Sequence, residues 1–299
     1  MTKDAAPALV KKRRYSKREK KNMLIAYSFL APNFLGFLIF TLTPVVFSIA
    51  LAFMNWNGGP LSRITFAGFD NFAAIFKNFS FTKSDLGITL RNTVLYTAVT
   101  VPLTIACALS LALVLNRAAR VAKLLRVVFF FPYVASIVAI CVCWSYMLMK
   151  YGPVNQALSY LGIHIGKSWT QSKDHAMLAI ILVSVWRSAG YYMVMYLAGL
   201  QGVPRELYEA AIVDGATPWQ KFWKVTFPML TPTTFFVSIM MVISCFKIYD
   251  VVAIMTEGGP GRATLMLVSH IYNLSFSQIK YSVDSAVAMV LFAIELTVT

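Results

Sequence analysis

The sequence predicts an all-α fold: a polytopic membrane bundle of about six transmembrane helices, interrupted late in the chain by a polar helical hairpin. Three observations lead there. Of 299 residues, 58% are hydrophobic and only 13% are charged, with a mean hydropathy of +0.66. A soluble domain normally carries about a quarter charged residues, and no soluble core of this size hides so much apolar surface. The apolar residues fall into runs of about 20 or more, the length a helix needs to cross the hydrocarbon layer. The basic residues, which bring the net charge to +15, gather beside those runs and form no nucleic-acid motif. They therefore orient the chain against membrane lipid, and nucleic acid is not an expected partner.

Residues 1–22 form a basic arm in which Lys11, Lys12, Arg13, Arg14, Lys17, Arg18, Lys20 and Lys21 precede the first apolar run. That run is too long for the core of a signal peptide and ends at no small-residue cleavage site, so the arm reads as a cytoplasmic anchor. The first span, Leu24 to Phe53, carries Pro32, Gly36 and Pro44, which predict kinks or an interfacial lead-in helix. A polar loop rich in Gly, Asn and Phe fills 54–87. The second span is Ile88 to Leu115, followed by a short loop bearing Arg117, Arg120, Lys123 and Arg126. The third, Val127 to Leu148, is expected to break early at Pro132. After a mixed loop (149–175) comes the fourth span, Ala176 to Leu200, then the polar hairpin and a fifth span, Thr233 to Met255. A loop at 256–281 leads to a sixth span that starts near Ser282 and is still running at Thr299, so the sequence reads as truncated there. The organisation is thus a basic arm, 1–22, and a transmembrane domain, 23–299. Loops 1–22, 116–126 and 201–231 carry most of the Lys and Arg, which places them, and the N-terminus, in the cytoplasm.

The hairpin reads VPRELYEAAIVDGATPWQKFWKVTFPMLTP from Val203 to Pro232. Pro204 suits a first helical turn, where its missing N–H costs nothing. Gly215, beside Asp214, is placed to end that helix in a left-handed conformation. Thr217 reads as an N-cap, Pro218 as the first helical residue and Gln220 as the capping-box partner. Pro228 and Pro232 close the unit. A helix–Gly–helix hairpin in a membrane protein's loop is a shape that a soluble partner can grip.

No catalytic constellation is visible. Gly162-x-x-x-Gly166-Lys167-Ser168 has one residue too few between its glycines for a phosphate-binding loop and follows no strand. Cys107, Cys141, Cys143 and Cys245 all lie in apolar stretches and read as small buried hydrophobes. His164, His175 and His270 lack ligand spacing, so no metal site is implied.

Glu209-Ala210-Ala211, then Asp214-Gly215-Ala216, then Phe222, Pro228 and Pro232 resemble the EAA motif of inner-membrane permeases of binding-protein-dependent ABC importers. The resemblance, to permeases of the maltose, glycerol-3-phosphate and multiple-sugar type, covers nearly the whole chain. It includes Phe130-Phe131-Pro132-Tyr133, Phe246-Lys247-Ile248-Tyr249-Asp250 and Thr256-Glu257-Gly258-Gly259-Pro260. The family usually has Phe or Trp in place of Tyr249 and Gly in place of Glu257. It implies a permease subunit in a bacterial or archaeal plasma membrane and no enzyme activity of its own. It also implies a second homologous permease, two ATPase subunits that bind the ATP and Mg, and an extracytoplasmic solute-binding protein. The permease itself would hold no cofactor. By the same resemblance the hairpin is a coupling helix that contacts the ATPase through Leu207, Tyr208, Glu209, Ala210, Ala211, Asp214, Gly215 and Ala216.

Polar and aromatic residues are costly in lipid and should face the interior of a bundle. Asn92, Tyr96, Trp144, Trp186, Tyr191, Tyr192, Tyr249 and Asp250 are therefore candidates for a solute path, with Arg187 and Lys247 beside them. Tyr and Trp suit sugar rings. Interfacial belts and snorkelling offer a purely structural account of the same residues, and Lys247 and Asp250, three apart, could pair on one helical face. A carbohydrate is the expected solute, with glycerol phosphate or a polyol the alternative. A secondary transporter, needing no ATPase, should show intramembrane carboxylates or inverted repeats. Only Asp250 and Glu295 qualify, and no repeat is visible.

Overall fold

The computed structural model describes residues 16–77, 79–117 and 122–299. Most of the basic arm and the tip of the loop after the second span therefore lie outside the described residues. The chain divides into two compact units, one ending at Ala50 and one of Leu51–Thr299.

In the first unit, helix α1 (Lys17–Phe37) opens on a capping box. Ser16 Oγ accepts from the Glu19 amide at 3.3 Å, and Glu19 Oε2 accepts from the Ser16 amide at 2.7 Å, which satisfies two donors the first turn leaves over. A π-turn, Leu38–Leu42, joins α1 to α2 (Thr43–Ala52), making a helical rod of 36 residues that is charged in its first turns and apolar beyond them. Pro32 sits inside α1, and the wide turn forms just before Pro44, where the Thr43 amide reaches back to the Leu38 carbonyl. A proline lacks the donor for that turn and its ring crowds the preceding carbonyls, so the turn widens by one residue. No side chain of α1 is buried.

The second unit begins with a region expected to be loop. It holds instead a two-stranded antiparallel ribbon, β1 (Met54–Asn55) with β2 (Thr65–Phe66), and helix α3 (Asp70–Phe76). Asn71 fastens it by donating from Nδ2 to the Ala52 and Met54 carbonyls at 3.0 and 2.8 Å.

Two long helices, α4 (Asp85–Arg117) and α8 (Ala176–Gln201), form the centre. They meet through fully buried Ala108, Ala112, Ala179, Val183, Met193 and Tyr196. Ala108, Ala112 and Ala179 are the small side chains that favour a close approach, because lipid gives no hydrophobic drive between helices and close packing must supply the attraction. Two threonines on α4 are satisfied locally: Thr93 and Thr97 donate to the carbonyls of Thr89 and Thr93, each at 2.8 Å.

The third span is not straight. Helix α5 (Ala122–Val134) and helix α6 (Ile137–Met147) meet at 95°. Pro132 was the expected breakpoint, yet it lies inside α5, and the chain turns where Ser136 takes ψ 124°. The turn strands the Tyr133 carbonyl, whose helical donor would have been Ile137, and Arg187 Nη2 donates to it at 3.3 Å. Broken backbone at membrane depth persists only where such a partner exists. On α8, Gly190 lies so close to α5 that a Cβ there would stand 1.7 Å from the Phe129 carbonyl oxygen.

Helix α7 (Pro153–Tyr160) follows in the next loop. Beyond α8 come α9 (Arg205–Val213), α10 (Pro218–Lys221), a π-turn (Phe222–Thr226) and α11 (Phe227–Met229). The stretch Pro218–Met229 meets α12 (Thr231–Phe246) at 65°. The fifth span is also broken, because Lys247, Ile248 and Tyr249 are non-helical before α13 (Asp250–Met255). That corrects the expected Lys247–Asp250 pair. Without a continuous helix the two do not share a face, and Lys247 Nζ lies 3.3 Å from Glu295 Oε2 instead. Helix α14 (Leu267–Tyr272) occupies what was expected to be loop, and α15 (Tyr281–Val298) is the sixth span. Leu86, Phe246, Leu267, Leu274, Val287 and Leu291 form a second, smaller core around α15. Cys141 and Cys245 are buried as expected, but Cys107 and Cys143 are exposed, on outward faces of their helices. The result is a predominantly helical polytopic membrane bundle, with four continuous candidate spans and two bent ones among the described residues.

Candidate functional site

The hairpin is built by two local devices. Helix α9 ends in a Schellman motif: the Gly215 amide bonds the Ile212 carbonyl at 3.0 Å and the Ala216 amide bonds the Ala211 carbonyl at 2.9 Å. Gly215 has φ +73°, which any other common residue adopts only with strain. Helix α10 starts two residues later on a complete capping box, in which Gln220 Oε1 accepts from the Thr217 amide at 2.8 Å and Thr217 Oγ1 accepts from the Gln220 amide at 3.3 Å. Pro204 stands one position earlier than expected, as the N-cap of α9.

Between the two helices runs a groove lined by Leu207, Ala210, Ala211, Asp214, Ala216 and Lys224, among others. The outer side chains are uncovered; Val213 is 87% exposed and Trp219 69%. Glu209 and Asp214 are exposed and carry no ion pair among the described residues. Tyr208 is turned inward, its hydroxyl 3.1 Å from Thr226 Oγ1, so it braces the hairpin against its own π-turn. Trp219, Phe222, Trp223 and Phe227 form a continuous aromatic cluster with neighbouring ring centroids 5.1 to 6.2 Å apart. Such rings favour the membrane–water boundary.

A second feature is a cavity of about 160 Å³ between α4, α8 and the break after α12. Of the eight solute-path candidates, Tyr96, Tyr192, Tyr249 and Asp250 line it, together with Arg187 and Lys247. The Tyr96 hydroxyl lies beside those of Ser184 and Thr100. The other four candidates lie elsewhere. Asn92 donates to the Arg262 and Leu265 carbonyls at 3.0 and 3.1 Å, anchoring the loop before α14. Trp144 and Trp186 meet edge to face at 5.4 Å, with Trp186 exposed on the outer surface. Tyr191 stacks on Tyr133 at 4.2 Å, and the Arg187 guanidinium lies 5.1 Å from the centre of that same ring, so Tyr191 supports the wall without forming it. Sequence reasoning missed Thr100, Ser184, Ser188 and Ser244. The signal was present: Tyr96 with Thr100, and Ser184, Ser188 and Tyr192, recur every four residues and so share one helical face.

His270, on α14 outside the spans, is held below the ordinary imidazole range by burial; Asp85 opposes that shift and Arg262 adds to it. Asp85 and Arg262 are themselves paired at 2.7 Å.

Comparison with known proteins agrees with this geometry. Residues 100–299 match the family model described as the binding-protein-dependent transport system inner membrane component. The probable ABC transporter permease protein YesP of Bacillus subtilis (strain 168) is 33% identical over 98% of this chain and 93% of its own. The lactose transport system permease protein LacF of Rhizobium radiobacter is 36% identical over 83% of this chain and 82% of its own. The sn-glycerol-3-phosphate transport system permease protein UgpA of Rhizobium meliloti is 29% identical over 93% of each. Among solved structures, a chain of a bacterial ABC transporter that imports the acidic polysaccharide alginate superposes with a TM-score of 0.79, 23% identity and 94% coverage of both chains, a likeness of fold. A family match over two thirds of the chain, on a broken-helix membrane bundle carrying the EAA hairpin, makes the protein a member of the binding-protein-dependent inner-membrane permeases, the transmembrane subunit of an ABC importer.

Proposed function

We propose that this chain moves a carbohydrate, that its N-terminal arm (1–22) and its hairpin face the cytoplasm, and that the hairpin couples the 23–299 domain to ATPase subunits. The observation that carries the reading is the exposed, uncompensated surface of a rigidly capped hairpin. Val213 and Trp219 are uncovered and the carboxylates of Glu209 and Asp214 have no ion-pair partner among the described residues. A membrane protein gains nothing from presenting such a surface unless a partner covers it. Leu207, Ala210, Ala211 and Ala216 offer the small and apolar side of the groove, and Gly215 keeps its angle. Two ATP-binding subunits, which would hold the ATP and Mg, draw together on binding nucleotide. Each pulls on one hairpin, this chain's and that of a second homologous permease, and the spans rock between two packings around the cavity. An extracytoplasmic binding protein supplies the solute.

Carbohydrate is supported by relatives named for lactose and for starch degradation products, and by a cavity walled with tyrosines and hydroxyls. Glycerol phosphate is the second reading, favoured by the relatives named for it. Gly215→Pro and Glu209→Lys test the coupling. Each is expected to abolish uptake by the assembled transporter while membrane insertion stays normal, and normal uptake by both would sink the assignment.

A further inference from the structure

The cavity is lined by two cations and one carboxylate: Arg187, Lys247 and Asp250. Taken alone, these would leave it positive and suited to an anion. Both cations are already engaged. Arg187 donates to the Tyr133 carbonyl and lies over the Tyr133 ring. Lys247 pairs with Glu295 of α15, which does not line the cavity. Glu295 is the more deeply placed of the pair, its side chain 14% exposed against 59% for Lys247, and its Oε1 is buried with no hydrogen-bond partner among the described residues. A carboxylate at that depth in an apolar helix is costly unless a cation answers it. With Glu295 counted, two positive charges face two negative ones, and Asp250 is left without an ion pair among the described residues.

We propose that Glu295 is a positioning residue that tunes this cavity to neutral, hydroxyl-rich solutes. By holding Lys247 against α15 it cancels that charge. Asp250 then remains an acceptor for solute hydroxyls, alongside the hydroxyls of Tyr96, Ser184 and Ser188, and it repels anions. The cavity is well below the ~300 Å³ at which sites for drug-sized ligands begin, so it takes one ring at a time. The inference rests on the reading of the cavity as the solute path.

The test reads the potential of the cavity directly, in the assembled transporter in proteoliposomes. The four native cysteines are replaced by serine and a reporter is placed in the wall by Ser188→Cys. Its reaction rates with an anionic and a cationic methanethiosulfonate reagent give a ratio that reports local charge. Glu295→Gln is expected to raise the anion-to-cation ratio about tenfold or more, Glu295→Asp to leave it within about threefold, and Lys247→Met to lower it about tenfold. Lys247→Met with Glu295→Gln is expected to restore the starting ratio. Ratios that stay within threefold in both single variants, or a double variant that fails to restore, would overturn the proposal. Should Glu295→Gln fail to assemble, Lys247→Met and the Lys247→Glu/Glu295→Lys exchange decide it alone. Protection of the reporter by lactose, added with the transporter's own binding protein, tests the solute path separately. Loss of protection with the charge effect intact would overturn the path and leave the role of Glu295 in setting the charge standing.

Discussion

Gly190→Ala puts the packing argument under the most strain. A Cβ at Gly190 would stand 1.7 Å from the Phe129 carbonyl oxygen and 2.5 Å from its carbon, and both are backbone atoms that cannot rotate away. Ordinary contact needs more than 3 Å, so α5 and α8 must part by over an ångström. Overpacking of this kind typically costs about 1–3 kcal/mol, and the rigid backbone target places this case at the upper end. The consequence extends beyond volume. Arg187 and Tyr191 lie on the same stretch of α8, and both engage Tyr133. Parting the helices therefore loosens the cap on the broken third span together with the cavity wall. The matched control is Gly36→Ala in α1, where a Cβ would meet nothing within 4 Å. Alanine there should be neutral or slightly stabilising, by up to about 1 kcal/mol. Thermal unfolding of the detergent-solubilised transporter, followed by tryptophan fluorescence, should show Gly190→Ala melting roughly 5–10 °C lower and Gly36→Ala unchanged or higher. Equal melting of Gly190→Ala and the parent would mean that the close approach of α5 to α8 does not exist.

Three further outcomes are expected. Thr217→Ala removes the N-cap of α10 and should cost about 1 kcal/mol locally, seen as faster amide hydrogen exchange over 217–221 with the core unaffected. Arg187→Met should leave the Tyr133 carbonyl unpaired in an apolar setting, a cost of about 1–3 kcal/mol, whereas Arg187→Lys should recover only part of that through a single donor; unfolding midpoints rank the two. His270 is kept neutral by burial, with its pKa lowered. The folded state binds its proton less readily than the unfolded chain, so stability is intact above the ordinary imidazole pKa of about 6.5 and falls as pH drops through it. His270→Gln should flatten the slope of melting temperature against pH below about 6.5, and an unchanged slope would assign the acid sensitivity to other groups.

Much of this was legible in the sequence because it is written locally. Thr217, Pro218 and Gln220 form the capping box that their spacing specifies, and Gly215 takes the left-handed turn that its position requires, because caps and turns depend on neighbours a few residues apart. Span existence was equally readable from hydropathy, and the fourth span begins at Ala176 as expected. The breaks were less readable. Pro132 is the local break signal, but the chain turns at Ser136, where Arg187 from another helix satisfies the freed Tyr133 carbonyl, a partner 54 residues from Tyr133 that no local pattern contains. The same holds for Lys247, which local spacing assigned to Asp250 and tertiary structure gave to Glu295. Half of the solute-path candidates failed to reach the cavity for a related reason. Tyr191 is taken up by stacking on Tyr133, while Trp144 and Trp186 meet each other with Trp186 left exposed on the outer surface, the place that an aromatic belt would give it.

The measurement closest to the central claim is co-purification in detergent of this chain with a second EAA permease and an ATPase encoded beside it, with ATP hydrolysis as the readout. The account predicts a stable complex whose hydrolysis is stimulated by the solute-loaded binding protein, and that both stability and stimulation disappear with Glu209→Lys or Gly215→Pro. A chain that purifies alone and carries solute without ATP would contradict it.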